Sequence, residues 1–186
     1  MACQIGVIYF SRTGCTHRLA NAVMEGCWSV RDVSVTEIEI DEDDFDGGRF
    51  CNEDKLEQAD FCDALIFGAP TYMGNMAAQL KAYFDASSER WQVQAWRDKL
   101  AGGFTVGTQL NGDQSSTLQS FATFASQHGM IWVNLSFGHQ PPEGMNAQGS
   151  WLGVTAVDRD GQVSEGDLRT AFYLGARVTR LTQRLG

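Results

Sequence analysis

Basic residues are scarce and scattered in this chain. Lysine occurs only as Lys55, Lys81 and Lys99. No basic stripe runs along any segment, so nucleic-acid binding is not expected. None of the three lysines follows a glycine, which excludes a Walker-type phosphate loop. A Gly-x-Gly-x-x-Gly fingerprint is missing after the first apolar run, so the usual dinucleotide-binding turn is absent. Apolar runs are short, and none reaches the roughly 20 residues of a membrane-spanning helix. Membrane insertion is therefore not expected. The first residues lack a basic n-region, and Arg12 and His17 interrupt the stretch where a signal peptide would be apolar. Cysteine is odd in number, at five, with no Cys-x-x-Cys pair. That pattern suits free thiols in a reducing cytoplasm rather than a disulfide framework. A thiol-phosphatase loop on Cys15 would need an arginine six residues on, where Asn21 stands. A phospho-receiver would need acids after the first and third strands, where Phe10-Ser11 and Ala69-Pro70 stand. No metal site is expected.

What is present is a globular composition. The chain has 186 residues, 43% hydrophobic and 20% charged, which predicts one domain over 1–186. Twenty glycines are more than average and point to tight turns or close backbone approaches. The net charge of −9 is local. Glu37 to Asp63 holds twelve acids against two bases, Arg49 and Lys55, and the remainder nets to +1. This acidic band keeps the chain soluble, or steers a basic partner.

Strand-like and helix-like segments alternate from end to end. Gln4 to Phe10 is a continuous apolar run, as expected of a strand buried on both faces. A helix follows, with Thr16, Leu19, Ala20, Val23, Met24 and Cys27 on one face. Val33 to Ile40 alternates into a strand with one wetter side, near a sheet edge. A short helix is expected near Asp54 to Asp60. Asp63 to Gly68 predicts the third strand and Ala69 to Asn75 a loop. Met76, Leu80, Tyr83 and Phe84 mark the next helix. Gly102 to Gly107 predicts the fourth strand. Leu118, Phe121, Ala122 and Ala125 mark a helix that stops at Gly129. Met130 to Leu135 predicts the fifth strand, and Phe137 to Ser150 is irregular. Asp158 to Gly161 reads as a turn, and Ser164 as the cap of a last helix.

Repeated strand–loop–helix units predict an α/β fold: a doubly wound, five-stranded parallel sheet with helices on both faces. Ligands of such sheets bind beyond the carboxyl ends of the strands, where strand order reverses. The loops after strands one, three and four should therefore converge. In the first, Ser11, Thr13 and Thr16 flank Gly14 at the start of a helix. Free N–H groups and the helix dipole attract an anion there, and hydroxyls add donors. An ordinary N-cap cluster would look the same.

Ser-x-Thr-Gly-x-Thr after a first strand resembles the FMN phosphate loop of flavodoxins. Pro70-Thr-Tyr-Met-Gly-Asn-Met76 is similar to the second flavin loop of the NAD(P)H:quinone oxidoreductases known as tryptophan-repressor-binding-protein-like. Gln127-His-Gly-Met130 and the Asp85 to Trp91 spacing look like that family too. The likeness runs from about Gln4 to Leu185. It implies a flavodoxin-like sheet of order 2-1-3-4-5. It implies that Ser11, Arg12, Thr13, Gly14, Cys15 and Thr16 hold the FMN phosphate. Arg12 would pair with that phosphate or with a nicotinamide cofactor. Thr71, Tyr72 and Met73 would lie along the isoalloxazine, with Pro70, Gly74 and Asn75 shaping the turn. Gly107, Thr108, Gln109, Leu110, Asn111, Gly112 and Asp113 would approach its pyrimidine side, where backbone N–H groups suit the charge of reduced flavin. The matching positions Trp91 and His128 approach flavin or substrate in that family.

Those two positions raise a geometric problem. Trp91 follows the third helix and His128 ends the fourth, and both helices run away from the flavin edge. A neighbouring subunit would have to present them, which predicts a homodimer or homotetramer. The expected activity is FMN-dependent, ping-pong transfer from NADH or NADPH to a quinone-like acceptor. Two alternatives stay open: a one-electron carrier, and a non-catalytic binding or regulatory module on the same fold.

Overall fold

The apolar runs pair as a parallel sheet. The computed structural model describes residues 2–110 and 113–186. Strands β1 (Cys3–Phe10), β2 (Val33–Ile40), β3 (Ala64–Tyr72) and β4 (Leu100–Gly107) lie in the order β2-β1-β3-β4, all parallel. This is the expected order through the fourth strand.

The fifth position is shared by two pieces. β5 (Ile131–Trp132) pairs with the start of β4, and β6 (Val154–Val157) pairs with its end. The pattern predicts one strand over Met130 to Leu135 and none near 155, so this is a correction. The physical reason is an excursion. The Val133 N–H reaches Ala101 O at 2.7 Å, and then the chain leaves the ladder. Leu135 N–H to Trp151 O at 3.0 Å and Trp132 Nε1–H to Leu152 O at 2.8 Å close its base. The strand edge is then completed by residues some twenty positions further on.

Helices cover both faces. α1 (Cys15–Trp28) and α6 (Glu165–Leu185) pack on one side. α2 (Glu53–Asp60), α3 (Ala78–Ala86) and α5 (Gln114–Gln127) pack on the other, with the short α4 (Ser88–Gln92) after α3. Alternate strand residues feed the two cores: Val7, Tyr9, Ala64 and Ile66 face α1 and α6, while Ile8, Phe10, Leu65 and Phe67 face the opposite layer. Ser164 caps α6 as expected, its side chain accepting from Asp167 N–H. Gly129 ends α5 at φ 72°.

The α1–α6 contact depends on two glycines. A Cβ at Gly26 would lie 2.0 Å from Phe172 O, and one at Gly175 would lie 2.0 Å from Val23 O. Each helix therefore rests directly on the other's backbone, which only glycine permits.

β2 departs from simple alternation. Val33 and Val35 pack on the α1–α6 side, whereas Ile38 and Ile40 pack on the other. The apolar residues thus change faces halfway along the strand. Glu37 and Glu39 continue the Val33–Val35 face and meet α1 instead of the core.

The acidic band is an ordered structure. Asp41 starts a 3-10 turn (Glu42–Asp44) with a reciprocal capping box, and a small hairpin pairs Phe45–Asp46 with Arg49–Phe50. Lys55 Nζ sits 2.6 Å from Asp44 and 3.0 Å from Asp41. Asp44 is 1% exposed and also accepts from Asn52 Nδ2 and Asp41 N–H. The Lys55 hydrogen bond holds the Asp41 carboxyl below its ordinary range.

Candidate functional site

β1, β3 and β4 are neighbours and parallel, so the loops after them leave the sheet at one edge. The first loop turns at Gly14, whose φ of 90° is left-handed and which has open space for 4 Å around its missing Cβ. Gly14 is the N-cap of α1 and offers no capping side chain, and apart from His17 no N–H of the first turn meets a side-chain acceptor among the described residues, which leaves the Cys15 and Thr16 N–H groups. Those N–H groups remain available to an anion. Ser11 Oγ braces the loop by accepting from His17 N–H at 3.1 Å. Arg12 and Thr13 are exposed, whereas Thr16 is buried.

Cys15 turns its side chain away from the loop. Its side chain is fully buried in the α1–α6 core, and burial, reinforced by Asp158, pushes its thiol up to about 11. It is a protonated packing group, and only its backbone can serve the loop.

The second loop is shorter than expected. β3 runs on through Pro70, Thr71 and Tyr72, and a two-residue turn at Met73 (φ 49°) and Gly74 (φ 79°) folds the chain back onto Asn75–Met76. Two positive φ angles in succession are the hairpin geometry that matches strand twist. Tyr72 and Met73 project into solvent at this edge. Pro70 is buried in the strand. Thr71 turns its hydroxyl away from the loop. Its hydroxyl points inward, 2.8 Å from both Thr105 Oγ1 and Thr117 Oγ1, so it ties β3 to β4 and α5 instead of facing a ring. Asn75 turns its side-chain oxygen onto Met76 N–H at 2.8 Å.

The third loop is described at Gly107 to Leu110 and at Asp113; Asn111 and Gly112 lie outside the described residues. Gln114, fully buried, reaches back and donates from Nε2 to Gln109 O at 3.0 Å. A Cβ at Gly107 would meet that nitrogen at 2.8 Å. Gln114 Oε1 has no hydrogen-bond partner among the described residues. One buried acceptor therefore stands free beside this loop, which suits a ligand bearing an N–H. An uncapped, glycine-turned helix start on one side and a free acceptor on the other fit the phosphate and the pyrimidine of a flavin nucleotide.

A groove of about 1420 Å³ leads away from these loops between α3 and α5. Phe10, Arg12, Tyr72 and Asn75 line it at the loop end, and Trp91 and His128 line it as well. The fourteen residues of α5 span about 21 Å, so His128 sits far from the loops in its own chain. Trp91 is 46% exposed. His128 is only 2% exposed. Its ring stacks on Trp96 at 4.6 Å and its Nε2 lies 3.0 Å from Ser87 Oγ. Burial lowers its value to about 4. The expectation that His128 is presented to a neighbouring subunit is corrected here: the ring faces inward. Sequence patterning missed Glu42, Gln79, Ser116 and Gln119, which also line the groove. A readable signal was there, because α5 contains no charged residue at all.

Parallel order, crossover helices and ligand loops at the strand carboxyl ends define a flavodoxin-like protein. Residues 4–140 match the model of the NADPH-dependent FMN reductases, and the chain belongs to that family. It is 38% identical to the flavodoxin FldP of Pseudomonas aeruginosa, over 96% of each chain. It is 32% identical to the quinone-oxidoreductase QR2 of Triphysaria versicolor, covering 100% of this chain and 98% of the other. The crystal structure of a WrbA-like flavodoxin from Agrobacterium tumefaciens superposes with a TM-score of 0.78 at 38% identity, over 98% and 99% of the two chains.

Proposed function

We propose that this chain is an FMN-dependent oxidoreductase that takes reducing equivalents from NADH or NADPH and passes them to a quinone-like acceptor, on one domain spanning 1–186. The observation that carries the reading is the uncapped start of α1 at Gly14, facing the same sheet edge as Tyr72 and Gly107. Bound FMN supplies two-electron redox chemistry, which lets donor and acceptor use one place in turn. The chain's own share is binding and orientation. The backbone of Ser11 to Thr16 holds the phosphate, and Arg12 adds a positive charge beside it. Tyr72 offers a stacking ring, and Gly107 to Asp113 bring backbone toward the pyrimidine side. The relative named as a quinone oxidoreductase supports the acceptor class.

The relative named as a flavodoxin favours a second reading, a one-electron carrier. One experiment separates the two. Purified protein is loaded with FMN and mixed with NADH or NADPH in a stopped-flow spectrometer. Rapid bleaching, followed by reoxidation with quinone, supports the enzyme. A stable one-electron state on dithionite titration, with no bleaching by either nicotinamide, supports the carrier.

The homodimer or homotetramer rests on the groove. The uncharged outer face of α5 and the half-exposed Trp91 give one wall of it a surface without charge, as interface cores have. Analytical ultracentrifugation tests it; a monomer at micromolar concentration overturns it. Five free cysteines suit a reducing, cytoplasmic setting.

A further inference from the structure

The first turn of α1 has no capping side chain at Gly14, yet its free N–H groups serve an anion well only if the turn is held still. One residue of that turn is tied to the sheet. His17 is the third residue of α1, and its N–H donates to Ser11 Oγ at 3.1 Å. Ser11 accepts there, so its one hydroxyl hydrogen stays free to donate. The backbone of His17 thus seats a donor of the phosphate loop.

The ring of His17 is fixed from the sheet side. Its Nδ1 lies 2.7 Å from the hydroxyl of Tyr9, a β1 residue with 0% exposure. The same hydroxyl lies 2.6 Å from Glu37 Oε1 on β2. A carboxylate only accepts, so the single phenol hydrogen goes to Glu37 and the imidazole is the donor to Tyr9. Burial and the Glu37 hydrogen bond push the phenol well above its ordinary range, so it keeps that hydrogen. Glu39 Oε1, 3.8 Å from Nδ1, is too far for a hydrogen bond. One continuous tie therefore runs from Glu37 on β2, through Tyr9 on β1 and the His17 ring, to the Ser11 hydroxyl.

We propose that His17 is a positioning residue for the flavin phosphate, holding the first turn of α1 against the sheet so that the Ser11 hydroxyl and the Cys15 and Thr16 N–H groups are set before the ligand arrives. This role rests on FMN as the ligand. A ring that points at Tyr9 does not touch the phosphate; it acts through Ser11 and the turn. Donors already in place cost less to order on binding. The effect is also selective. With FMN bound as proposed above, only its phosphate end meets this turn, while Tyr72 and Gly107 to Asp113 meet its ring. Loosening His17 therefore weakens a flavin that carries phosphate and spares one that does not.

The full chain, freed of flavin, is titrated with FMN and with riboflavin, which has the same ring and no phosphate, and quenching of flavin fluorescence gives both affinities. The parent should bind FMN roughly tenfold more tightly or better, through charge-assisted hydrogen bonds to the phosphate. His17→Leu should weaken FMN about tenfold, the worth of one hydrogen bond, and change riboflavin by less than about twofold. His17→Asn, whose Nδ2 can stand where Nδ1 stood and donate to Tyr9, should return FMN affinity to within about threefold of the parent. Thermal melts check that each variant is folded. Tyr9→Phe, which removes the acceptor of the ring, serves in place of His17→Leu if that variant does not fold, with the same pattern expected. Equal losses for FMN and riboflavin overturn the role, because a merely structural tie loosens the whole site. Unchanged FMN affinity in folded His17→Leu overturns it too, as does an Asn variant no better than the Leu variant. Those results leave the flavin reading intact, since the parent still binds FMN. A parent that binds neither flavin overturns both.

Discussion

His128 donates from Nε2 to the hydroxyl of Ser87, 3.0 Å away, because Ser87 has already given its own hydrogen to Phe84 O at 2.7 Å. The tautomer follows. Nδ1 carries the lone pair, is buried, and has no partner among the described residues. A proton placed there would be a buried charge with no acceptor, which is why burial lowers the group to about 4.

Acid stability should report this. In the unfolded chain His128 titrates near 6.5, and in the fold near 4. The unfolded state binds the proton first as pH falls. The contribution is full above about 6.5 and is lost between there and about 4. It amounts to about 3 kcal/mol. Urea unfolding at pH 7 and pH 4.5, compared with His128→Leu, measures it. The parent should lose more stability over that range than the variant.

Gly14→Val tests the phosphate cradle. The position needs a left-handed backbone, costing a side chain roughly 1–2 kcal/mol, and its open surroundings rule out a packing explanation. FMN affinity, read by quenching of flavin fluorescence, should fall at least tenfold while the melting temperature falls by only about 2–8 °C. A variant that binds FMN as well as the parent would contradict the placement of the phosphate.

Gly175→Ala tests the helix contact. The new Cβ would stand 2.0 Å from Val23 O, so α1 and α6 must separate. Overpacking of this kind costs about 1–3 kcal/mol, and backbone is less forgiving than a side chain. Denaturant midpoints should fall accordingly. A neighbouring exposed change, Arg180→Ala, should do nearly nothing.

Lys55→Met tests the acidic band. It removes the cation that faces Asp44, which is almost fully buried. An unpaired buried carboxylate costs about 3–5 kcal/mol. Adding Asp44→Asn to the same chain should recover part of the loss. Stability of the single and double variants at neutral pH measures both.

Much of the architecture was legible in the residues. Unbroken apolar runs such as Gln4 to Phe10 can only be strands covered on both faces, and a chain that alternates them with helices has one economical layout. Ser164, Gly129 and the Asp158 to Gly161 turn act locally, and their chemistry reads directly from the sequence. The loops after β1, β3 and β4 were also legible, since parallel topology brings strand ends together.

Side-chain direction was not legible. Cys15 and Thr71 stand in the right loops, yet their side chains turn into the core, because which way a Cβ points depends on register and packing. The split edge strand needed residues some twenty positions apart to complete one strand position, a choice made by hydrogen bonds to β4.

The sequence by itself determined the strand and helix periods, the glycine-turned loops and the scarcity of basic charge, because these are properties of neighbours along the chain. Only the tertiary structure decided that His128 faces inward, that one lysine organises the acidic turn, and that His17, Glu37, Glu39 and Tyr9 meet. Contacts between residues far apart in sequence exist only once the sheet has set its register and the helices have packed on it.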